Sequence, residues 1–297
     1  MHTAHSPPTV AGVLAGAIAR LEPAASAVLD AQLLLAHALG CARSAVLARG
    51  SEPVTPSQIA ALRRLLERRA RGEPLAYVTG RREFWSLELQ VTSAVLVPRP
   101  ETELVVERSL ALLAPLAAGA ASIADLGTGS GAIALALARE RPQWRITATD
   151  RSAAALAIAT ANARALGIDN VSFLESDWYR ALAGRRFALI ASNPPYIAAA
   201  EAALSDPALR HEPLAALASG TTGLEDIAAL IAGATAHLLD AGWLVLEHGA
   251  TQAGAVAELL VAQGFSHVRC HADLAGLERV TEAQRTQASP SSEHRHP

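Results

Sequence analysis

From residue 122 onward the chain alternates strand-like with helix-like runs, and this alternation restricts the fold more than any other feature. The strand-like runs are Ser122 to Leu126, Trp144 to Thr149, Val171 to Glu175, Phe187 to Ser192, Gly242 to Glu247 and Ser266 to His271, with helical stretches in most of the gaps. Strands separated by helices pair in parallel, because the helix carries the chain back to the starting edge. The pattern predicts an α/β fold with a doubly wound, mostly parallel sheet and its ligand site at the carboxyl ends of the strands.

Upstream the period changes. Val10 to Leu21, Ala25 to Leu39 and Pro56 to Ala70 repeat apolar residues at helical spacing, with Gly40, Pro53 and Gly72 as breaks, and predict a small N-terminal helical domain. Phe84 to Val91 alternates, and Val95 to Val97 follows after a short gap, so a β-hairpin is expected to join the helical part to the α/β part. The expected divisions are 1–76 helical, 77–103 hairpin linker and 104–285 α/β. A polar Ser, Pro, His and Arg tail over 286–297 is expected to be disordered.

The first α/β strand runs into Asp125-Leu126-Gly127-Thr128-Gly129-Ser130-Gly131, and a helical run, Ala132 to Arg139, follows at once. Glycines let the chain turn sharply beside a ligand, and the free N–H groups of the next helix point at it. Nineteen residues beyond Gly131, Asp150 closes the second strand, where a carboxylate can accept from both hydroxyls of a ribose. The spacing is G-x-G-x-G and not the G-x-G-x-x-G of a pyrophosphate binder, which favours S-adenosylmethionine over a dinucleotide. Asp177 could then accept from an adenine amino group, and the Trp178 indole could cover the ring.

The fourth strand leads into Asn193-Pro194-Pro195-Tyr196. Two prolines stiffen the backbone, so the Asn193 side-chain oxygen and the Pro194 carbonyl are held in set directions. Together they can accept both hydrogens of a planar NH2 group while its nitrogen faces a methyl donor, with Tyr196 stacked on the flat group. Such a nitrogen is a weak nucleophile, so orientation and matched acceptors have to supply the catalysis, and no metal is required.

Composition removes other chemistries. All 25 basic residues are arginine, so a phosphate loop that needs lysine and any Schiff-base route are excluded. Cys41 and Cys270, far apart, cannot form a four-cysteine metal cluster and fit a reducing compartment. With no secretory signal and no long uncharged apolar run, no membrane association is expected, and a cytoplasmic protein is. The net charge of −3 hides an asymmetry: residues 1–100 hold 11 arginines against 7 acids, and the rest hold 14 against 21.

The combination resembles the class I methyltransferases that act on planar exocyclic nitrogens, and more narrowly the release factor glutamine methyltransferase family. The narrow resemblance rests on Tyr77-Val78-Thr79-Gly80, Glu83-Phe84-Trp85, Val97 to Glu103, Asp125 to Gly131 and Asn193 to Ile197. Glu212-Pro213, Gly220, Gly223-Leu224, Asp273, Gly276 and Arg279 add to it. The resemblance implies a seven-stranded methyltransferase sheet over 104–285 and substrate recognition by residues 1–76. It implies cofactor contacts at Gly127 to Gly131, Asp150, Trp178 and Asn193, and substrate contacts at Asn193, Pro194, Pro195 and Tyr196. The implied substrate is the glutamine of the Gly-Gly-Gln loop of bacterial peptide-chain release factors, giving N5-methylglutamine with no direct nucleic-acid contact. An adenine-N6 DNA methyltransferase, a glutamine methyltransferase for a ribosomal protein, and a non-catalytic cofactor-binding module stay open on the residues alone. The polar residues after Arg279 leave the length of the last strand undefined.

Overall fold

A computed structural model of the chain describes residues 7–116, 119–200 and 209–286. The chain divides into two compact units between Arg81 and Arg82. The tail expected beyond residue 286 lies outside the described residues.

The first unit is helical: α1 (Val10–Leu21), α2 (Ala27–Leu39), α3 (Arg43–Ala48), α4 (Pro56–Ala70) and α5 (Leu75–Thr79). Helix α4 starts where the sequence says it should. Thr55 caps it with a reciprocal bond from Gln58, and Pro56 occupies the first turn, where no N–H is missed. Its apolar stripe, Leu62 and Leu66, packs with Leu34 and Leu35 of α2. Two of its arginines are structural: Arg69 Nε lies 2.7 Å from the buried Asp30 carboxylate, and Arg68 pairs with Glu73. The short helices α3 and α5 are not evident from periodicity, since six and five residues hold less than two turns.

The hairpin is β1 (Arg81–Phe84) with β2 (Leu87–Gln90). This corrects the expected pairing of Phe84 to Val91 with Val95 to Val97. Trp85 and Ser86 take left-handed φ of 51° and 57°, so the chain reverses inside the run that alternates in sequence. Such tight turns ordinarily use Asn and Gly, and their absence concealed this one.

The second unit continues with α6 (Glu103–Leu112), β3 (Ser122–Leu126), α7 (Ala132–Glu140), β4 (Arg145–Asp150), α8 (Ala153–Leu166), β5 (Val171–Glu175), β6 (Phe187–Ser192), α9 (Glu225–His237), β7 (Leu238–Glu247), α10 (Ala253–Ala262), β8 (Phe265–Ala272) and β9 (Glu278–Arg285). The seven-stranded sheet has the order β5-β4-β3-β6-β7-β9-β8. Strands β3 to β7 pair in parallel, and β9 runs antiparallel to both its neighbours. The doubly wound, mostly parallel fold class is therefore the observed one.

Successive residues of the central strands enter different cores. Ile123, Leu189 and Val245 pack with α6 and α7 on one face, while Ala124, Ile190 and Leu244 pack with α9 and α10 on the other. Helix α7 is buried from Ala132 through Ala138, and its alternating alanines let it lie close on the sheet. The chain leaves β3 for β4 and β5 on one side and returns to β6 on the other. That reversal opens a crevice at the carboxyl ends of β3, β4 and β6.

Candidate active site

The crevice is built first by the glycine turn. Gly127, Gly129 and Gly131 all have left-handed φ, and the N–H groups of Gly127 and Thr128 donate to the Thr149 carbonyl at 2.9 and 2.8 Å. Asp125, fully buried, pins the turn to α7 by accepting from Thr128 Oγ1 at 2.6 Å and from the Ala134 N–H at 3.2 Å. Burial pushes its carboxyl up to about 7. Asp150 accepts from the Gly129 N–H through Oδ2 and from the Ser152 N–H through Oδ1, each at 2.9 Å. Each of its oxygens keeps a lone pair for a further donor.

Gly127, Thr128, Gly129, Ser130, Asp150, Asp177, Trp178 and Asn193 all line a cavity of about 200 Å³. Trp178 is held at φ 45°, and its indole lies so close over Gly127 that a Cβ there would meet Cζ3 at 3.4 Å. A spaced carboxylate, an indole slab and an open glycine turn fit an adenine nucleoside with a charged tail. Gly131 departs from expectation, because it does not line the cavity. A Cβ on it would meet Leu135 Cδ1 at 3.0 Å and Ala159 Cβ at 3.3 Å, so this glycine packs α7 against α8 beneath the ligand space.

A second cavity, about 110 Å³, is lined by Arg99, Pro194, Tyr196 and Ile197 among others, and Asn193 lines both. Pro195 faces the first cavity and buried Pro194 the second. Asn193 Nδ2 donates to Thr102 Oγ1 at 3.0 Å. Among the described residues, nothing donates to Asn193 Oδ1 or to the Pro194 carbonyl. The loop is fixed from behind: Gln252 Nε2 donates to the Tyr196 carbonyl at 3.0 Å, and the Ile197 N–H to the Leu217 carbonyl at 3.0 Å. The Tyr196 hydroxyl donates to Glu247 Oε1 at 3.4 Å. Burial, then the Glu247 charge, raises the phenol pKa, so Tyr196 stays neutral.

Sequence reasoning gave Thr102 and Glu247 no role in the site. Thr102 stood inside the Arg99-Pro-Glu-Thr-Glu segment, and Glu247 closes β7, so the rule that ligands gather at strand carboxyl ends could have found it. Arg99 pairs with Glu212, whose Oε2 also accepts from the Val97 N–H at 3.2 Å, which ties two further segments of the resemblance together at the rim.

A cavity walled by a glycine turn, a strand-end carboxylate and an indole, adjoining a second cavity with Asn193 on the wall of both, is the layout of an S-adenosylmethionine-dependent methyltransferase. Residues 13–80 match the family described as PrmC N-terminal domain, and residues 106–210 match the Methyltransferase small domain. The release factor glutamine methyltransferase of Pseudomonas aeruginosa is 49% identical over 268 residues, covering 89% of this chain and 95% of that protein. The one from Escherichia coli K12 is 45% identical over 265 residues, covering 89% and 95%. The solved hMettl16 catalytic domain, in complex with an RNA hairpin, is 15% identical with a TM-score of 0.57, covers 76% of this chain and 83% of that one, and shares the fold. The chain belongs to the release factor glutamine methyltransferase family.

Proposed function

We propose that this enzyme methylates the side-chain amide nitrogen, N5, of the glutamine in the Gly-Gly-Gln loop of bacterial peptide-chain release factors, in the cytoplasm, with residues 1–76 recognising the protein substrate. The observation that carries the reading is Asn193. It lines both cavities, and among the described residues nothing donates to its oxygen or to the neighbouring Pro194 carbonyl.

Bound S-adenosylmethionine supplies an electrophilic methyl group, and Asp150, Asp177, Trp178 and the Gly127 to Ser130 turn would hold it. The chain's own part is orientation. Asn193 Oδ1 and the Pro194 carbonyl accept the two hydrogens of a glutamine NH2, which turns the nitrogen toward the first cavity. As the nitrogen gains its methyl it becomes positive, and the same acceptors stabilise that charge until one proton leaves to solvent. Tyr196, neutral and partly buried, flanks the planar amide.

The test is transfer of labelled methyl from S-adenosylmethionine to purified release factor, alongside a Gln-to-Ala loop variant, a ribosomal protein fraction, duplex DNA and Asn193→Ala enzyme. Label on the release factor alone, lost in both variants, is the expected result. Label on DNA or on a ribosomal protein would replace the substrate with that one.

A further inference from the structure

We propose that Thr102 and Glu247 are positioning residues for methyl transfer, acting through a hydrogen-bond chain that fixes which end of the Asn193 amide faces the substrate. The inference rests on the glutamine reading above.

A primary amide is nearly symmetric in shape but opposite in function at its two ends. Turned one way, Asn193 offers an acceptor to the substrate NH2. Turned the other way, it offers a second NH2 and repels it. Packing alone cannot tell the two apart, so a neighbouring hydrogen-bonding group must do so.

Thr102 is that neighbour. It is buried in the turn Pro100–Thr102, and its oxygen accepts from Asn193 Nδ2 at 3.0 Å, which leaves Oδ1 for the substrate. A threonine hydroxyl has one hydrogen and could equally well donate to Oδ1, which would admit the unproductive orientation. What commits it is an acceptor on its other side. Glu247, 1% exposed at the end of β7, is a carboxyl that the transfer step does not use. Its Oε1 accepts from the Tyr196 hydroxyl, and its Oε2 is buried without a partner among the described residues. Burial raises this carboxyl to about 7, and the neighbouring Thr102 hydroxyl opposes that rise, although Thr102 and Glu247 are not in hydrogen-bonding geometry. If the Thr102 side chain turns its hydroxyl within reach of Oε2, the orphaned oxygen is satisfied and the single hydroxyl hydrogen is committed. Thr102 can then act toward Asn193 only as an acceptor.

The same contacts respond to pH. Ionised Glu247 can only accept, which enforces the productive orientation. Protonated Glu247 can donate to Thr102 and free the threonine hydrogen for Asn193 Oδ1. The other groups facing this carboxyl are Tyr196 from the loop after β6, Arg279 from β9 and Glu101 beside Thr102.

The full-length enzyme with release factor as substrate tests this directly, comparing wild type with Thr102→Val, Thr102→Ser and Glu247→Gln. Thr102→Val should lower kcat by about 10- to 100-fold, as expected for a misplaced catalytic amide, with the Kd for S-adenosylmethionine, the KM for release factor and the melting temperature little changed. Thr102→Ser restores the hydroxyl and should recover most of the rate. Wild-type kcat should rise with pH through the neutral range, and Glu247→Gln should lose that dependence. A Thr102→Val enzyme with parental kcat, a loss that follows cofactor affinity or melting temperature, or a pH limb unchanged in Glu247→Gln would overturn the proposal. If wild type labels no release factor at all, the substrate reading fails first and the inference falls with it.

Discussion

Replacing Gly223 by alanine should disable the Asn193 to Tyr196 loop while leaving the cofactor cavity intact. Gly223 has φ +80°, and a Cβ built on it would sit 2.5 Å from the Tyr196 carbonyl oxygen and 3.0 Å from the Ala198 nitrogen, both backbone atoms. Ordinary contact begins near 3.4 Å, so the Tyr196 carbonyl must retreat by about 0.9 Å, against the Gln252 bond that holds it at 3.0 Å. Two costs then add. A left-handed alanine costs about 1–2 kcal/mol, and overpacking about 1–3 kcal/mol more. Gly167, the left-handed cap of α8 at φ +64°, has nothing within 4 Å of its would-be Cβ, so Gly167→Ala should show the conformational cost alone. Denaturant unfolding of both variants isolates the contact as the difference, expected at about 1–3 kcal/mol. Since Gly223 does not line the cofactor cavity, the Kd for S-adenosylmethionine should be that of the parent. A displacement near 1 Å beside the reacting group should cut kcat about 100-fold. The reasoning is refuted if Gly223→Ala is no less stable than Gly167→Ala and turns over at the parental rate.

Asp150→Ala removes a charged acceptor shared by the Gly129 and Ser152 N–H groups and the ligand space, so calorimetry should show S-adenosylmethionine bound about 10- to 100-fold more weakly. Arg108→Ala removes the guanidinium whose Nε lies 2.9 Å from Glu282, a carboxylate 1% exposed, and leaves that carboxylate to His271, whose Nε2 lies 3.0 Å away; unfolding free energy should fall by about 3 kcal/mol. The double change Arg108→Met with Glu282→Gln should recover much of that loss, and no recovery would mean that the site needs this pair for more than charge balance.

What could be read from the sequence was what local spacing controls. Strands β3, β5 and β6 and helices α1 and α4 match their sequence readings residue for residue, because clear apolar periods end at strong breaks or caps. The bounds of β9 stayed undefined because its buried centre, Val280 to Ala283, includes Thr281 and Glu282, and that acid is partnered by Arg108, 174 residues away, and by His271. The site shows the same division. That Gly127 to Ser130, Asp150, Trp178 and Asn193 line one cavity follows from a turn and strand ends. Thr102 meets Asn193 across 91 positions, a contact that only the assembled sheet creates. Gly131 was drawn into the ligand set by its place in the motif, although its missing side chain serves helix packing.

The position of β9 bears on how the molecule comes into being. This strand is synthesised after every other described strand, yet it lies between β7 and β8 and not at an edge. Until residues 278–285 are available, β7 presents an unpaired border beside Glu247 and β8 has no neighbour to hold it. A nascent chain can therefore assemble the cofactor-binding half early, but it cannot close the sheet behind the asparagine loop until the final strand threads into place. Shortening the chain by those eight residues would not trim the domain but split it.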